Sequence, residues 1–202
     1  FDVDASTTLS MTEENSKTLP LSNSTTKFTL SYIGVLEQLR NPEILWETLN
    51  DLVQENADFK NDFELKFVGR LDDKILQKIE SSALKNNLTN LGYQTHDVAL
   101  KHMQDSTVLL MTNFPQESSK GIIPGKIFEY LATGKTILSF GPKDADVEKI
   151  LNETKAGKHF GYDEKENLKN FILESYQNWK SGTLNQNAEN IEQFSRKNLT
   201  QK

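Results

Sequence analysis

From Lys27 onward, short apolar runs at strand spacing alternate with longer stretches whose apolar residues recur at helical spacing. "KFTLSYI" (27–33) is β-branched and aromatic, and predicts a first strand closed by Gly34 and a polar loop through Arg40. "PEILWETLNDLVQ" then sets Ile44, Leu45, Leu49, Leu52 and Val53 on one helical face, with Asn41 expected as the cap and Pro42 in the first position. "FELKFVG" predicts a second strand ending at Gly69, and Asp72 or Asp73 can cap the helix "KILQKIESSAL". "NLTNLGY" reads as a weaker third strand, and Thr95 is expected to cap "HDVALKHMQ". "STVLLMT" is nearly all apolar, the pattern of a strand buried on both faces. A loop over 113–124 leads into a helix from about Gly125 to Thr133, stopped by Gly134. "KTILSF", the helix "DADVEKILNET", the short strand "KHFG" and a long helix near 164–180 complete the order. A polar stretch and a last short helix close the chain.

Six strand–helix alternations with short connections predict an α/β fold. The expected form is a Rossmann-like doubly wound parallel sheet of about six strands, ordered 3-2-1-4-5-6, with helices on both faces. Ligands of such sheets sit beyond the carboxyl ends of the strands, where the strand order reverses. That point lies between the first and fourth strands, so the loops 34–41 and 113–125 are expected to line the site. Residues 1–26 are rich in Ser, Thr and Asn without periodicity and read as a linker or arm. Residues 27–182 form the expected domain, and 183–202 a C-terminal polar segment and helix.

Composition narrows the partners. Apolar residues are 36% of the 202, with the deficit mainly at the two ends, and charged residues are 26% with a net charge of −6. An acidic surface argues against nucleic acid or an anionic membrane as partner. There are no cysteines, which removes disulfides, thiolate nucleophiles and sulfur-ligated metals and suits a reducing compartment. No apolar run approaches the roughly 18 residues of a membrane span. The sequence opens on Phe1 without a signal-peptide pattern, so a fragment of something longer is expected.

The chemistry concentrates in "KGIIPGKIFEYLATGKTIL" (120–138). Ile127, Phe128 and Leu131 share a face expected to pack on the sheet, while Gly125, Lys126 and Glu129 share the opposite side of the first turn. Free amides at a helix start, aided by the dipole, predict an anion site. Gly125 lets a phosphate approach the backbone, and Lys126 adds a point charge. Glu129 lies about one turn deeper, suited to the paired hydroxyls of a sugar ring. The arrangement suggests a nucleoside diphosphate, with diphosphate at the helix start and ribose on Glu129. Each residue also has an ordinary account: the dipole alone favours a first-turn glutamate by about 0.3–1 kcal/mol, and surface lysines are commonly just solvated. Their coincidence with the switch-point crevice favours the functional account.

Other candidates read as structural. His96 and His102 are six apart, poor spacing for shared coordination, and with His159 they predict no metal site. Asp72-Asp73, and Asp144 with Asp146, open helices and read as caps. Ser118-Ser119 lacks a nucleophile-elbow context, and its loop can instead fold over a ligand. Trp46 and Trp179 sit in helical patterns as packing residues. No "G-x-G-x-x-G" follows the first strand, so the nicotinamide fingerprint is missing.

"PGKIFEYLATGKTIL" resembles the donor-binding motif of the retaining GT-B glycosyltransferases, in the form "P-(G/S)-K-x-x-E-Y-(L/M)-A-x-G-K-P" found in many bacterial sequences. "LSYIGVLEQLRNPEILWETL" resembles the family's first strand and loop, "LKFVGRLDD" its second strand, and "NLTNLGYQTHDVALKHMQDSTVLLM" its third strand to fourth. "FSRKNLTQK" looks like the start of its closing segment, and "FDVD" like the tail of an interdomain element. The resemblance spans about residues 27 to 200. It implies the C-terminal, donor-binding domain of a group 1-type enzyme that transfers a sugar from a nucleoside diphosphate to an acceptor, in polysaccharide or glycoconjugate synthesis. By position, Glu129 would bind the ribose, Arg40 and Lys126 would face the diphosphate, and the backbone at Gly125 would contact a phosphate. Gly34 would leave room for the donor, and Gly92 and Tyr93 would border the base. The resemblance assigns no catalytic residue within this stretch and implies no cofactor and no metal. It implies an acceptor-binding half before Phe1, without which this half is inactive, and a place in the cytoplasm or at the inner membrane face. Two positions depart from the pattern. A glutamate common eight residues before the ribose-binding one is Gly121 here, and the proline after Gly-Lys is Thr136. A sugar-nucleotide epimerase of the same fold and a non-enzymatic α/β interaction module stay open as alternatives.

Overall fold

The computed structural model describes residues 27–184 and Glu189; the expected arm over 1–26 and nearly all of the closing segment, including its last helix, lie outside the described residues. Six strands, β1 (Phe28–Ile33), β2 (Phe63–Val68), β3 (Leu88–Asn90), β4 (Val108–Thr112), β5 (Thr136–Phe140) and β6 (Gly157–Phe160), form one parallel sheet ordered β3-β2-β1-β4-β5-β6. The expected order holds, and strand order reverses between β1 and β4. Seven helices connect or follow the strands: α1 (Glu43–Glu55), α2 (Ala57–Asp62), α3 (Asp73–Glu80), α4 (His96–Asp105), α5 (Lys126–Ala132), α6 (Asp146–Thr154) and α7 (Lys165–Ser181).

Alternate strand residues feed two cores, as the period of two requires. Leu30, Leu65, Leu110 and Leu138 face α1, α3 and α7, while Leu109, Met111 and Ile137 face α4, α5 and α6. Register stacks these residues in layers, with Leu30 beside Leu65 and Leu110 beside Leu138. β2 departs from the double burial of β1 beside it. Glu64 and Lys66 on one face are half-buried and pair at 3.0 Å, where no helix core covers them.

Some of the expected caps are used otherwise. Asn41 does not cap α1. Its side-chain oxygen accepts the Trp46 indole N–H at 2.6 Å, so the residue is used to close a buried polar group rather than a helix end. Asp72 caps α3 as expected, accepting from the Lys74 amide at 2.9 Å. Asp144 and Asp146 do not cap α6. Asp144 takes φ 60, and the Glu148 carboxylate reaches back to its amide at 2.7 Å, a capping contact running in the reverse direction. Among the described residues no helix is long and apolar enough to cross a membrane.

The carboxyl edge of the sheet is narrowed by glycine. Gly69, after β2, has φ 124, and a Cβ there would run into the Gly34 carbonyl. Its amide donates to the Gly92 carbonyl at 2.7 Å, and the Gly34 amide to the Val68 carbonyl at 2.7 Å. The ends of β1, β2 and β3 are thereby laced side by side, with bare backbone where side chains would otherwise stand.

Candidate functional site

The crevice at the reversal is built by the loop after β1 and the segment between β4 and α5. That second segment is clipped to itself. The Asn113 side-chain Nδ2 donates to the Ile122 carbonyl at 3.0 Å and to the Ser119 carbonyl at 3.4 Å. Buried Ser119 turns its hydroxyl to the Phe114 and Gln116 carbonyls at 2.6 and 2.7 Å. These are staples of a folded loop, and they leave Ser119 no role as a nucleophile.

α5 is shorter than its sequence pattern and enters through a tight turn. The Ile127 amide donates to the Pro124 carbonyl at 2.9 Å and the Phe128 amide to the Gly125 carbonyl at 3.2 Å. Two of the amides expected to be free are thus taken up, and a seven-residue helix carries a small dipole. Gly125 itself is exposed, with no atom within 4 Å of where a Cβ would stand, so the turn opens to solvent. Positive charge in the crevice comes from side chains rather than from the helix end.

Lys126 leans across onto β1. Its Nζ donates to the Ile33 carbonyl and sits 4.8 Å from the centre of the Tyr32 ring. A Cβ on Gly34 would lie 2.6 Å from that Nζ. The room expected beside Gly34 for a ligand is therefore held by the lysine, and with φ 119 only glycine serves there. Burial pushes the Lys126 ammonium down to about 8, the nearby Arg40 guanidinium pushes the same way, and Glu129 opposes.

Arg40 spans the crevice. Its Nη2 donates to the Val35 carbonyl at 3.0 Å and meets the Glu37 carboxylate at 3.5 Å, while the guanidinium lies 5.4 Å from the Phe114 ring centre. Its Nε is buried without a partner among the described residues. Glu129 is half-buried one turn into α5, and no described residue donates a hydrogen bond to its carboxylate. Gly34, Arg40, Gly125, Lys126 and Glu129 thus meet at one place. Tyr93 does not join them: it stands beyond β3, two strands away along the same edge, and is 88% exposed.

The residue that sequence reasoning passed over is Tyr130. It is fully buried, accepting from the Ile33 amide at 3.4 Å and donating to the Leu110 carbonyl at 3.3 Å. One hydroxyl bridges β1 and β4 where they diverge, and so fixes the turn of α5 that bears Glu129. Burial raises its phenol above the ordinary tyrosine range. The adjacency of Tyr130 to Glu129 in "FEYLA" was the available signal.

No protein-family model matches the sequence, and no curated protein matches it in sequence. Solved structures do match in shape. Anabaena Alr3699/HepE, in a complex with UDP, aligns at a TM-score of 0.64 with 17% identity, over 84% of this chain and 45% of that one. The fold is the GT-B domain fold. TarM aligns at 0.62 with 19% identity, over 87% of this chain and 34% of that one. The pneumococcal O-GlcNAc transferase GtfA, in a complex with UDP and GlcNAc, aligns at 0.61 with 14% identity, over 87% and 33%. The chain spans less than half the length of each of these GT-B proteins.

Proposed function

We propose that this chain is the donor-binding half of a glycosyltransferase and takes a nucleoside diphosphate sugar at the carboxyl edge of β1 and β4. The observation that carries the reading is the half-buried Glu129 carboxylate, left without a hydrogen-bond donor among the described residues, beside Lys126 at the strand reversal. A carboxylate so placed is matched by the two adjacent hydroxyls of a ribose, which supply both missing donors. Lys126 and Arg40 then lie where a diphosphate continues from that ribose. The base extends along the glycine-laced edge toward Gly92 and Tyr93. The likeness in fold to proteins whose structures hold UDP supports a nucleoside diphosphate as the ligand class.

In the reaction so assigned, the bond between the sugar's anomeric carbon and the diphosphate breaks as an acceptor hydroxyl adds. Negative charge grows on the departing diphosphate. Fixed cations aimed at that charge stabilise it without reorganising, the effect that dominates many group transfers. Lys126 and Arg40 fill this role, and the reading invokes no metal. The acceptor is bound by another part of the protein, and Gly121 contributes no side chain to the sugar. An epimerase reading has no comparable support, since Glu37, the other acid of the loop after β1, is engaged with Arg40.

A nucleotide panel tests the proposal. Uridine or guanosine diphosphate at 100 times its dissociation constant should add about 2.7 kcal/mol to stability. That is a rise in melting temperature of roughly 5–10 °C for a domain of this size. The matching nucleoside should give a much smaller shift at equal concentration. Absence of a shift with any nucleoside diphosphate would overturn the reading.

The depressed lysine makes a second prediction. Lys126 loses its proton as pH rises through about 8, so diphosphate affinity should fall between pH 7 and 9.5. A bound anion favours the charged lysine, so binding takes up a proton over this window and the slope should approach tenfold per unit. Stability without ligand moves the other way. Between about 8 and the ordinary 10.5 the unfolded chain keeps the proton that native Lys126 has released. The contribution of this group to stability therefore rises with pH there. Calorimetric titrations at several pH values read both signs, and a flat affinity profile in wild type would remove Lys126 from the site.

A further inference from the structure

Tyr32 is a β1 residue only 2% exposed, yet it contacts one cation of the crevice and shares a hydrogen-bond acceptor with the other. The face of its ring lies 4.8 Å from the Lys126 ammonium. Its hydroxyl donates to the Val35 carbonyl at 2.9 Å, the same oxygen that accepts from Arg40 at 3.0 Å. We infer that Tyr32 is the positioning residue for the anion-binding cations, seating Lys126 on its ring and fixing through its hydroxyl the carbonyl on which Arg40 rests. The inference depends on the functional reading above in one respect, that these cations meet a nucleotide's diphosphate.

The geometry gives Tyr32 two separable jobs. The negative face of an aromatic ring attracts an ammonium held against it, the more so where water is excluded. Lys126 has no carboxylate within ion-pair distance among the described residues, so the ring and the Ile33 carbonyl are its supports. Arg40 repels Lys126, and that repulsion would drive the flexible lysine out into solvent if nothing held it. The hydroxyl does the second job. The Val35 carbonyl sits in the loop just beyond Gly34, and Val35 itself is an exposed apolar residue with little packing to fix it. Pinned from beneath by Tyr32, the carbonyl becomes a rigid acceptor that orients the guanidinium over Phe114. Because Tyr32 belongs to a central strand paired on both sides, it transmits the rigidity of the sheet to two long side chains.

Two substitutions separate the jobs. Tyr32→Phe keeps the ring and removes the hydroxyl; Tyr32→Leu removes both. Uridine diphosphate affinity should weaken about threefold in Tyr32→Phe and about tenfold or more in Tyr32→Leu. Uridine, which has no diphosphate, should bind all three proteins alike. Proton NMR adds a readout that general destabilisation does not move. The Lys126 Hε resonances, identified by their loss in Lys126→Met, should be shifted upfield by the ring current in wild type and Tyr32→Phe, and ordinary in Tyr32→Leu. Unshifted Lys126 resonances in wild type, or wild-type affinity for uridine diphosphate in Tyr32→Leu, would overturn the inference. A ring-current shift in a wild-type protein that binds no nucleotide would sink the functional reading and leave the seating of Lys126 standing. If Tyr32→Leu does not fold, the wild-type shift decides the ring's role. The affinity of Tyr32→Phe then decides the hydroxyl's, and equality with wild type removes it.

Discussion

Replacing Glu129 with alanine should weaken uridine diphosphate binding at least tenfold while leaving the ligand-free protein about as stable as before. Each hydrogen bond from a ribose hydroxyl to a charged acceptor contributes about 1.5–3 kcal/mol, so loss of even one gives about tenfold or more. Stability should hardly move, because no described residue donates to this carboxylate. The dipole contribution of a first-turn acid, about 0.3–1 kcal/mol, is offset in part by the higher helix propensity of alanine. One indirect route has to be separated from the direct one. Glu129 opposes the fall in the Lys126 ammonium, so its removal also leaves fewer lysines charged near neutral pH. A nucleotide lacking the 2′- and 3′-hydroxyls separates the two. If Glu129 grips the ribose, that analogue binds wild type and Glu129→Ala with affinities differing by less than about threefold, since the coupled pair has been removed from both arms of the cycle. Equal affinity of the two proteins for intact uridine diphosphate would take Glu129 out of the site.

Much of the fold could be read from the chain because its signals are periodic. Strand runs such as "STVLLMT" and helical stripes such as that of α1 state both the element and its burial. Alternation of the two forces parallel crossovers, and the order around β1 and β4 follows. The position of the crevice was legible for the same reason, since it depends on topology and not on any one side chain. What stayed hidden was contact chemistry. That Lys126 would fold back over Gly34 onto Tyr32 depends on a lysine rotamer and a positive φ that no spacing rule encodes. Asn41 had the residue type and position of a cap, but the Trp46 indole, buried by the core, competed for it and won. Tyr130 stayed out of the reading of α5, because periodicity counts a tyrosine's ring at most and is silent about its hydroxyl.

The helix α2 was the element least visible in the sequence, and it carries the largest expected effect on stability. "ADFKND" has one large apolar residue and no stripe, and what defines it lies elsewhere. The Asn56 side chain caps it by accepting the Phe59 amide at 3.0 Å, and Phe59 is driven into the first core with no exposed surface. There its ring stacks on Phe63 with centroids 4.8 Å apart and stands edge-on to Tyr176 at 5.1 Å and to Phe28 at 6.1 Å. One side chain therefore joins α2 to β1, β2 and α7. Phe59→Ala should cost about 3–5 kcal/mol, from lost burial and from a cavity that three ordered rings and a central sheet cannot close. The upper part of that range is expected, because aromatic pairs contribute about 0.5–1.5 kcal/mol beyond their area. Thermal unfolding should then begin roughly 10 °C lower. The cluster lies at the amino end of β1, with Phe28 its first residue, whereas Gly34 and Lys126 stand beyond the carboxyl end. Well below the transition, the affinity for uridine diphosphate should accordingly match wild type within about twofold, as expected for sites without shared partners. A loss under about 1.5 kcal/mol in urea unfolding, with the dependence on urea unchanged, would mean that α2 can refill the space. It would then be a surface turn resting on the core instead of a part of it.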